Sequence, residues 1–291
     1  MEPTGNGLSK TQAVIDRQFG RQAFGADPAL YHSARPPYPQ WVFELLKTHC
    51  KQHPPTFEIG AGTGLATRPL LDLGASPLVA IEPDPRLAAF LKEHNPDPAL
   101  KILTTPFETA NLEENSFDLG ICATAFHWLD ETQALTKVAR LLRPGGWWAM
   151  FWNDFGDPNR ADPFHEATKA LLNYSPSGPG NPSSPSGPGN PSSPASPSRG
   201  TGNLPFSLDT TARVQSLQAT NAFDTIEHHS APWTLTLNPS QVVNLYSTYS
   251  NINIRPDKST ILTQLEHIAR TGFNGLVTRN MVTSLYIARR K

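Results

Sequence analysis

Phe57-Glu58-Ile59-Gly60-Ala61-Gly62-Thr63-Gly64 takes a short apolar run straight into a turn with glycine at every second position. Residues 56–59 read as a buried strand. The turn feeds a helix over 65–73, closed by Gly74 as a C-cap, because glycine enters the left-handed region without a Cβ penalty. Working outward, 78–81 is a second strand and 85–94 a second helix, followed by strands at 100–104, 117–123 and 147–152. A helix over 131–142 runs into Arg143-Pro144-Gly145-Gly146, a stop and turn signal. An amphipathic helix at 38–50, with Trp41, Val42, Leu45 and Leu46 at helical spacing, precedes the first strand. Strands and helices thus alternate from 56 to 152, which predicts an α/β, doubly wound, mostly parallel sheet with helices on both faces. Farther on, 223–226, 233–237 and 281–287 look like strand material, and a seven-stranded sheet is expected. Helices at 240–250 and 258–271 lie between them, placing a helical lid at about 238–275 over the carboxyl edge.

Composition narrows the function. The 291 residues carry a formal net charge of −1, without the basic excess that phosphate neutralisation demands, so nucleic acid is not an expected partner. Cys50 and Cys122 are far apart and outside any C-x-x-C pattern, so no metal site and no disulfide are expected. No apolar run reaches the roughly 18 residues of a membrane span, and the start lacks a signal-peptide plan, so a cytoplasmic protein without membrane contact is expected. Proline is the anomaly, with 29 residues, and Ser-Pro-Ser-Gly-Pro-Gly-Asn-Pro-Ser occurs at 175–183 and again at 184–192. Such a stretch has no large apolar side chain to offset ordering entropy. It is read as a disordered insertion at 175–203 interrupting a domain over 26–291, behind a polar tail at 1–25.

In an open α/β sheet, ligands sit outside the carboxyl ends of the strands at the switch point. Glu82-Pro83-Asp84 closes the second strand 22 residues after Gly60, where the Glu82 carboxylate can accept hydrogen bonds from both hydroxyls of a ribose. The nicotinamide fingerprint G-x-G-x-x-G/A needs a small sixth residue, and here that position is Leu65. Glu58, two residues before the first glycine, is placed to meet an ammonium group. S-adenosylmethionine (SAM) has such a group and lacks a pyrophosphate, so the spacing favours SAM over a nicotinamide cofactor.

The segments Phe57 to Gly64, Ile81-Glu82-Pro83-Asp84, Thr105-Pro106-Phe107-Glu108, Ser116-Phe117-Asp118, Ala125-Phe126-His127-Trp128 and Leu142-Arg143-Pro144-Gly145-Gly146 occur in that order. Together they resemble the class I SAM-dependent methyltransferases, whose fold is a Rossmann-like SAM-binding sheet. Tyr31-His32-Ser33-Ala34-Arg35-Pro36-Pro37-Tyr38-Pro39 is similar to the lead-in of the small-molecule branch that includes trans-aconitate methyltransferase-like proteins. The resemblance implies a methyl transfer that converts SAM to S-adenosylhomocysteine. It implies that Gly60, Ala61, Gly62 and Gly64 line the methionine moiety and ribose, that Glu82 and Pro83 hold the ribose, and that Phe107 and Glu108 border the adenine. The backbone at Ala123 and Thr124 would face the methionine end, with Tyr31 and Arg35 closing the site. Pro106 stands where many relatives carry small residues and supplies no N–H to that segment.

Methyl transfer from a sulfonium is an in-line displacement that needs alignment and exclusion of water, and a base only for an acceptor that carries a proton. His127, just past the fourth strand, is the candidate catalytic base; packing beside Trp128 is the competing reading. Trp128 and Trp152 are candidate acceptor-lining residues, against simple core packing. In the lid, Ser247-Thr248-Tyr249-Ser250 resembles a segment that reaches the acceptor, which puts Tyr249 and Ser250 in the substrate set. His228-His229 on a strand point to opposite faces and are read as surface. No Asn/Asp-Pro-Pro-Tyr motif follows the fourth strand, and Cys122 lies in an apolar strand, which argues against base amino-methylation and cytosine-C5 methylation. A small-molecule methyltransferase is the leading reading. A SAM-binding protein with another activity or a regulatory role is the alternative, and a nicotinamide-dependent oxidoreductase stands behind both.

Overall fold

The computed structural model describes residues 24–172, 204–253 and 255–291. Residues 1–23 of the tail expected at 1–25, and the whole insertion expected at 175–203, therefore lie outside the described residues.

The chain opens with a single turn, Phe24–Ala26, then α1 (Pro28–Ala34) and α2 (Gln40–His49). The alternating core follows as β1 (Thr56–Ile59), α3 (Thr67–Asp72), β2 (Leu78–Ile81), α4 (Pro85–His94), β3 (Leu100–Leu103), β4 (Phe117–Ala123), α5 (Glu131–Leu141) and β5 (Leu142–Phe155). After α6 (Pro163–Leu172) come α7 (Thr210–Ala219), β6 (Phe223–Leu237), α8 (Pro239–Ser247), α9 (Ser250–Asn253), α10 (Lys258–Gly272) and β7 (Val277–Arg290). The seven strands lie in the order β3-β2-β1-β4-β5-β7-β6, with β7 antiparallel to both neighbours and the pairs among β1 to β5 parallel.

Strand alternation divides the sheet into two apolar faces. Leu78, Ile121, Ala149, Phe151 and Ile287 pack against Val42 and Leu46 of α2 and Leu70 of α3. On the opposite face, Phe57, Ile81, Trp148, Met150 and Trp152 meet Leu135 and Val138 of α5 and Leu217 of α7. Trp148 is fully buried, as alternation requires of one member of the Trp147-Trp148 pair.

Several sequence boundaries move. The helix expected over 65–73 begins at Thr67, because Gly64 at φ +93° holds the chain in the turn for longer. The two short strands at 223–226 and 233–237 are one continuous edge strand, β6. Its His228 stacks on Tyr286 and bonds the Ser284 hydroxyl, while His229 bonds Glu227. The turn signal at Arg143–Gly146 sits inside β5, opposite a register shift at Phe117/Leu119, with Gly145 at φ +80°.

Both β5 and β7 overrun the parallel strands, pairing from Trp147↔Arg289 to Phe155↔Met281. Their projecting ends carry a third apolar cluster in which Phe155, Leu237, Val277 and Met281 meet Phe164 of α6, Leu245 and Tyr246 of α8, and Ile261 and Leu265 of α10. The helical unit expected at 238–275 is thus anchored on the extended strands. Asn238 caps α8 through a capping box with Gln241, and buried Arg279 joins Asp162 (2.7 Å) to the Tyr246 hydroxyl (2.5 Å) beneath the helices.

Candidate functional site

At the carboxyl edge of the parallel strands, where the strand order reverses between β2 on one side of β1 and β4 on the other, a cleft enclosing about 870 Å³ with its open mouth is lined by sixteen residues. They come from the ends of β1, β2 and β4 and the turns after them, from Leu87 of α4, from the Phe107 loop, and from Tyr31 and Arg35 of the N-terminal segment.

The turn after β1 shapes one wall. Gly60, Gly62 and Gly64 have φ of +68°, +58° and +93°, values that a side chain strongly disfavours. A Cβ on Gly60 would lie 2.5 Å from the Ala125 methyl, and one on Gly64 would lie 2.7 Å from Leu91, so both are fixed by neighbouring protein. A Cβ on Gly62 would meet nothing within 4 Å; this position borders the open cleft. The turn is held by Glu82, whose Oε2 accepts the Gly62 N–H at 2.8 Å and whose Oε1 accepts the Asp84 N–H at 2.9 Å. One carboxylate, only 4% exposed, therefore braces the loops after β1 and β2 and still borders the cleft.

The opposite wall is the β4 exit. Thr124 has φ +53°, an uncommon conformation for a β-branched residue and one worth a functional question. It is held by its N–H to the Phe151 carbonyl (2.8 Å) and by the Tyr38 hydroxyl on its Oγ1 (2.7 Å). Next comes the turn Phe126–Trp128, where His127 is 7% exposed and borders the cleft. Its Nδ1 accepts the Trp152 indole N–H at 3.2 Å, and burial pushes its pKa down to about 4. The base expected at His127 thus meets a geometry that opposes it: one ring nitrogen is already engaged and the ring resists protonation.

The floor on the β2 side is apolar: Ile59, Ile81, Leu87 and Phe107. Lys137 of α5 secures the Phe107 loop by donating to the carbonyls of Phe107 (2.6 Å), Glu108 (3.3 Å) and Ala110 (2.6 Å). The roof is Arg35, whose guanidinium lies 5.2 Å from the Tyr31 ring and 4.7 Å from the Tyr249 ring and donates to the Thr248 carbonyl at 3.1 Å. That contact ties the N-terminal segment to the lid.

Of the expected residues, the cleft brings together Tyr31, Arg35, Gly60, Gly62, Glu82, Pro83, Phe107, Ala123, Thr124, His127 and Trp128. It leaves seven outside. Glu58 points to the other face of β1, accepts the Thr67 hydroxyl at 2.6 Å, and is pushed up to about 8 by burial. Ala61 packs with Ala80 and Leu91, Gly64 faces Leu91 and Asn95, and Glu108 is exposed. Trp152 stands behind His127, and Tyr249 behind Arg35. Ser250, fully buried beside it, has a hydroxyl without a hydrogen-bond partner among the described residues. Sequence reasoning missed Tyr38 and Lys137, which hold the site from outside; Tyr38 lies in the 31–39 lead-in, which assigns it no role, and no local motif marks Lys137. It also missed the apolar liners, which strand alternation at β1 and β2 could have supplied.

Residues 57–150 match the family model described as a methyltransferase domain. An uncharacterised methyltransferase of Mycobacterium tuberculosis is 34% identical over 131 residues, 45% of this chain and 52% of that protein. One from Schizosaccharomyces pombe is 28% identical over 162 residues, 55% of this chain and 62% of that one. The chain thus spans about half to three fifths of the length of these relatives. Among solved structures, a type II methyltransferase candidate from Anaeromyxobacter dehalogenans aligns at TM-score 0.57 and 18% identity, covering 88% of this chain and 97% of that one. A Haemonchus contortus phosphoethanolamine N-methyltransferase bound to S-adenosylhomocysteine aligns at 0.53 and 13%, covering 97% and 61%. At these identities the structural likeness establishes the fold: a Rossmann-like seven-stranded methyltransferase sheet. Among the described residues, no helix is long and apolar enough to cross a membrane, and no group of three or more His, Cys, Asp or Glu is arranged to hold a metal.

Proposed function

We propose that this chain is a SAM-dependent methyltransferase acting on a small-molecule acceptor. The observation that carries the reading is the cleft at the switch point, where Gly62 presents bare backbone beside the Glu82 carboxylate. That pairing suits a nucleoside without a pyrophosphate: the carboxylate takes the ribose hydroxyls, and the apolar floor of Ile81, Leu87 and Phe107 takes the purine. SAM supplies a methyl group on a positively charged sulfur, transferred by in-line displacement.

The chain's own residues do the rest. Glu82 orients the nucleoside, and Gly60 with the backbone at Ala123 and Thr124 fixes the end of the cleft nearest His127. Tyr31 and Arg35 roof the cleft and exclude water, with Arg35 bound to the Thr248 carbonyl of the lid. A roof of this kind encloses the acceptor, which favours a small molecule over a polymer threading the site. Trp128 walls the acceptor end, and Tyr249 and Ser250 lie behind Arg35, where the lid would follow acceptor binding.

The test is the release of S-adenosylhomocysteine from SAM by the full chain with a panel of carboxylic acids, phenols, amines and thiols. Turnover with a member of the panel is expected. SAM binding with no turnover on any of the classes would favour the alternative, a SAM-binding protein with a different activity.

A further inference from the structure

Glu82 and Pro83 border the cleft, whereas Asp84, which completes the motif, does not. Its carboxylate is instead where the N-terminal segment lands. Gly25, in the single turn ahead of α1, is buried and lies outside the left-handed region, so a side chain is excluded there for want of space. A Cβ on Gly25 would overlap the Asp84 Oδ2 and lie 2.6 Å from the Asp84 Cγ and 2.8 Å from the Arg86 Nε. The carboxylate has little freedom to give way. Asp84 is 4% exposed, its Oδ1 accepts the Arg86 backbone N–H (2.9 Å) and Nε–H (3.0 Å), and its Oδ2 accepts the Arg86 Nη2–H (2.6 Å). Its own N–H donates to the Glu82 Oε1, so a shift of Asp84 also pulls on the carboxylate that braces the Gly62 turn.

From this seat the chain enters α1, which Asp27 caps by accepting the Leu30 N–H at 2.9 Å. The His32 ring lies 5.4 Å from Phe90 of α4, with the Thr63 backbone of the glycine turn beside it. Tyr31 and Arg35 border the cleft, and Arg35 is fastened to the lid through the Thr248 carbonyl and the Tyr249 ring. Residues 25–35 are thus held at both ends with the cleft beneath them. We infer that this segment is a strap that lifts to admit and release the occupant of the cleft, and that Asp84 is the positioning residue on which Gly25 seats its first end. The clasp stands on its own contacts; naming S-adenosylhomocysteine as what it retains rests on the cofactor reading above.

The test pairs rapid-mixing tryptophan fluorescence, which follows S-adenosylhomocysteine through Trp128 at the cleft, with amide exchange over residues 28–35 in the full chain. In the wild type, the Tyr31 and Arg35 amides, bonded to the Asp27 and Tyr31 carbonyls at 3.0 and 3.1 Å, should exchange more slowly when the ligand is bound. Gly25→Ala should release the ligand about 10- to 100-fold faster, the scale of one overpacked methyl group, with association not slowed and both amides less protected. Asp84→Ala removes the two closest atoms and leaves the Arg86 Nε on a half-exposed side chain that can swing aside. In that background, adding Gly25→Ala should change release by less than about twofold, because the two substitutions share one contact. Release within about twofold of wild type in Gly25→Ala, or an equal effect of that substitution in both backgrounds, would overturn the inference. So would equal exchange of 28–35 with and without ligand, or slowed association in Gly25→Ala with the exchange of 28–35 unchanged. If the ligand does not bind at all while exchange in the ligand-free chain follows the same cycle of substitutions, the cofactor reading has failed and the clasp holds.

Discussion

Removing the Glu82 carboxylate separates bracing from binding. In Glu82→Ala, the Gly62 and Asp84 N–H groups lose acceptors at 2.8 and 2.9 Å, in a residue 4% exposed. Each hydrogen bond to a charged acceptor is worth about 1.5–3 kcal/mol, and water admitted from the open cleft restores part of both. A net loss of about 2–3 kcal/mol of stability follows, which lowers Tm by about 4–12 °C at about 2–4 °C per kcal/mol for a domain of this size. The ligand loses a further charged acceptor for its ribose hydroxyls, so the Kd for S-adenosylhomocysteine should rise about 10- to 100-fold. Glu82→Gln is the sharper control, because its amide keeps the shape but turns an NH₂ toward one of the two backbone donors. It should bind hardly better than the alanine variant. Calorimetric titration alongside thermal melts checks this. Wild-type affinity in both variants, with Tm lowered, would make Glu82 a loop brace and remove it from the cofactor site.

Gly62→Val places a branched side chain at φ +58° and aims its Cβ at the open cleft, so binding of S-adenosylhomocysteine should vanish in calorimetry while circular dichroism stays folded. Lys137→Met keeps the stem but frees three loop carbonyls, and should raise the same Kd about threefold to tenfold through the Phe107 loop. The pH dependence follows from Glu58, held at about 8 by burial, and Asp154, held at about 7. Both pKa values are raised on folding, so the native state holds protons that the unfolded chain releases, and stability falls as pH rises from the unfolded carboxylate range through 7 to 8. Melts at pH 5.5 and 8.5 should show this decline, and Glu58→Gln should flatten part of it; an unchanged slope in the variant would place the effect elsewhere.

The fold was legible where local chemistry dictates it. Thr56–Ile59, Leu78–Ile81 and Phe117–Ala123 are short buried runs between glycine, proline and capping signals, and their bounds agree with the structure. The later sheet was harder to read, since β6 is an edge strand with only one face covered. Its central polar run His228-His229-Ser230 hides a ladder that continues from Phe223 to Leu237. In the cleft, Gly62 and Glu82 announce themselves because a ligand needs bare backbone and a fixed carboxylate at set spacing. Tyr38, Lys137 and the Trp152 contact do not, because each acts across 25 or more residues of sequence through tertiary packing. Glu58 shows the limit of spacing arguments: strand alternation turns it to the far face, onto Thr67, while Ile59 beside it lines the cleft.

The central claim is that the cleft beside Gly62 and Glu82 is a site for an adenosyl sulfonium and not for a dinucleotide. Parallel calorimetric titrations of the full chain with S-adenosylhomocysteine and with NAD test it directly. The account predicts saturable 1:1 binding of S-adenosylhomocysteine, weakened by Glu82→Ala and abolished by Gly62→Val, and no heat of binding from NAD. Tight binding of NAD, or S-adenosylhomocysteine binding indifferent to both substitutions, would contradict it.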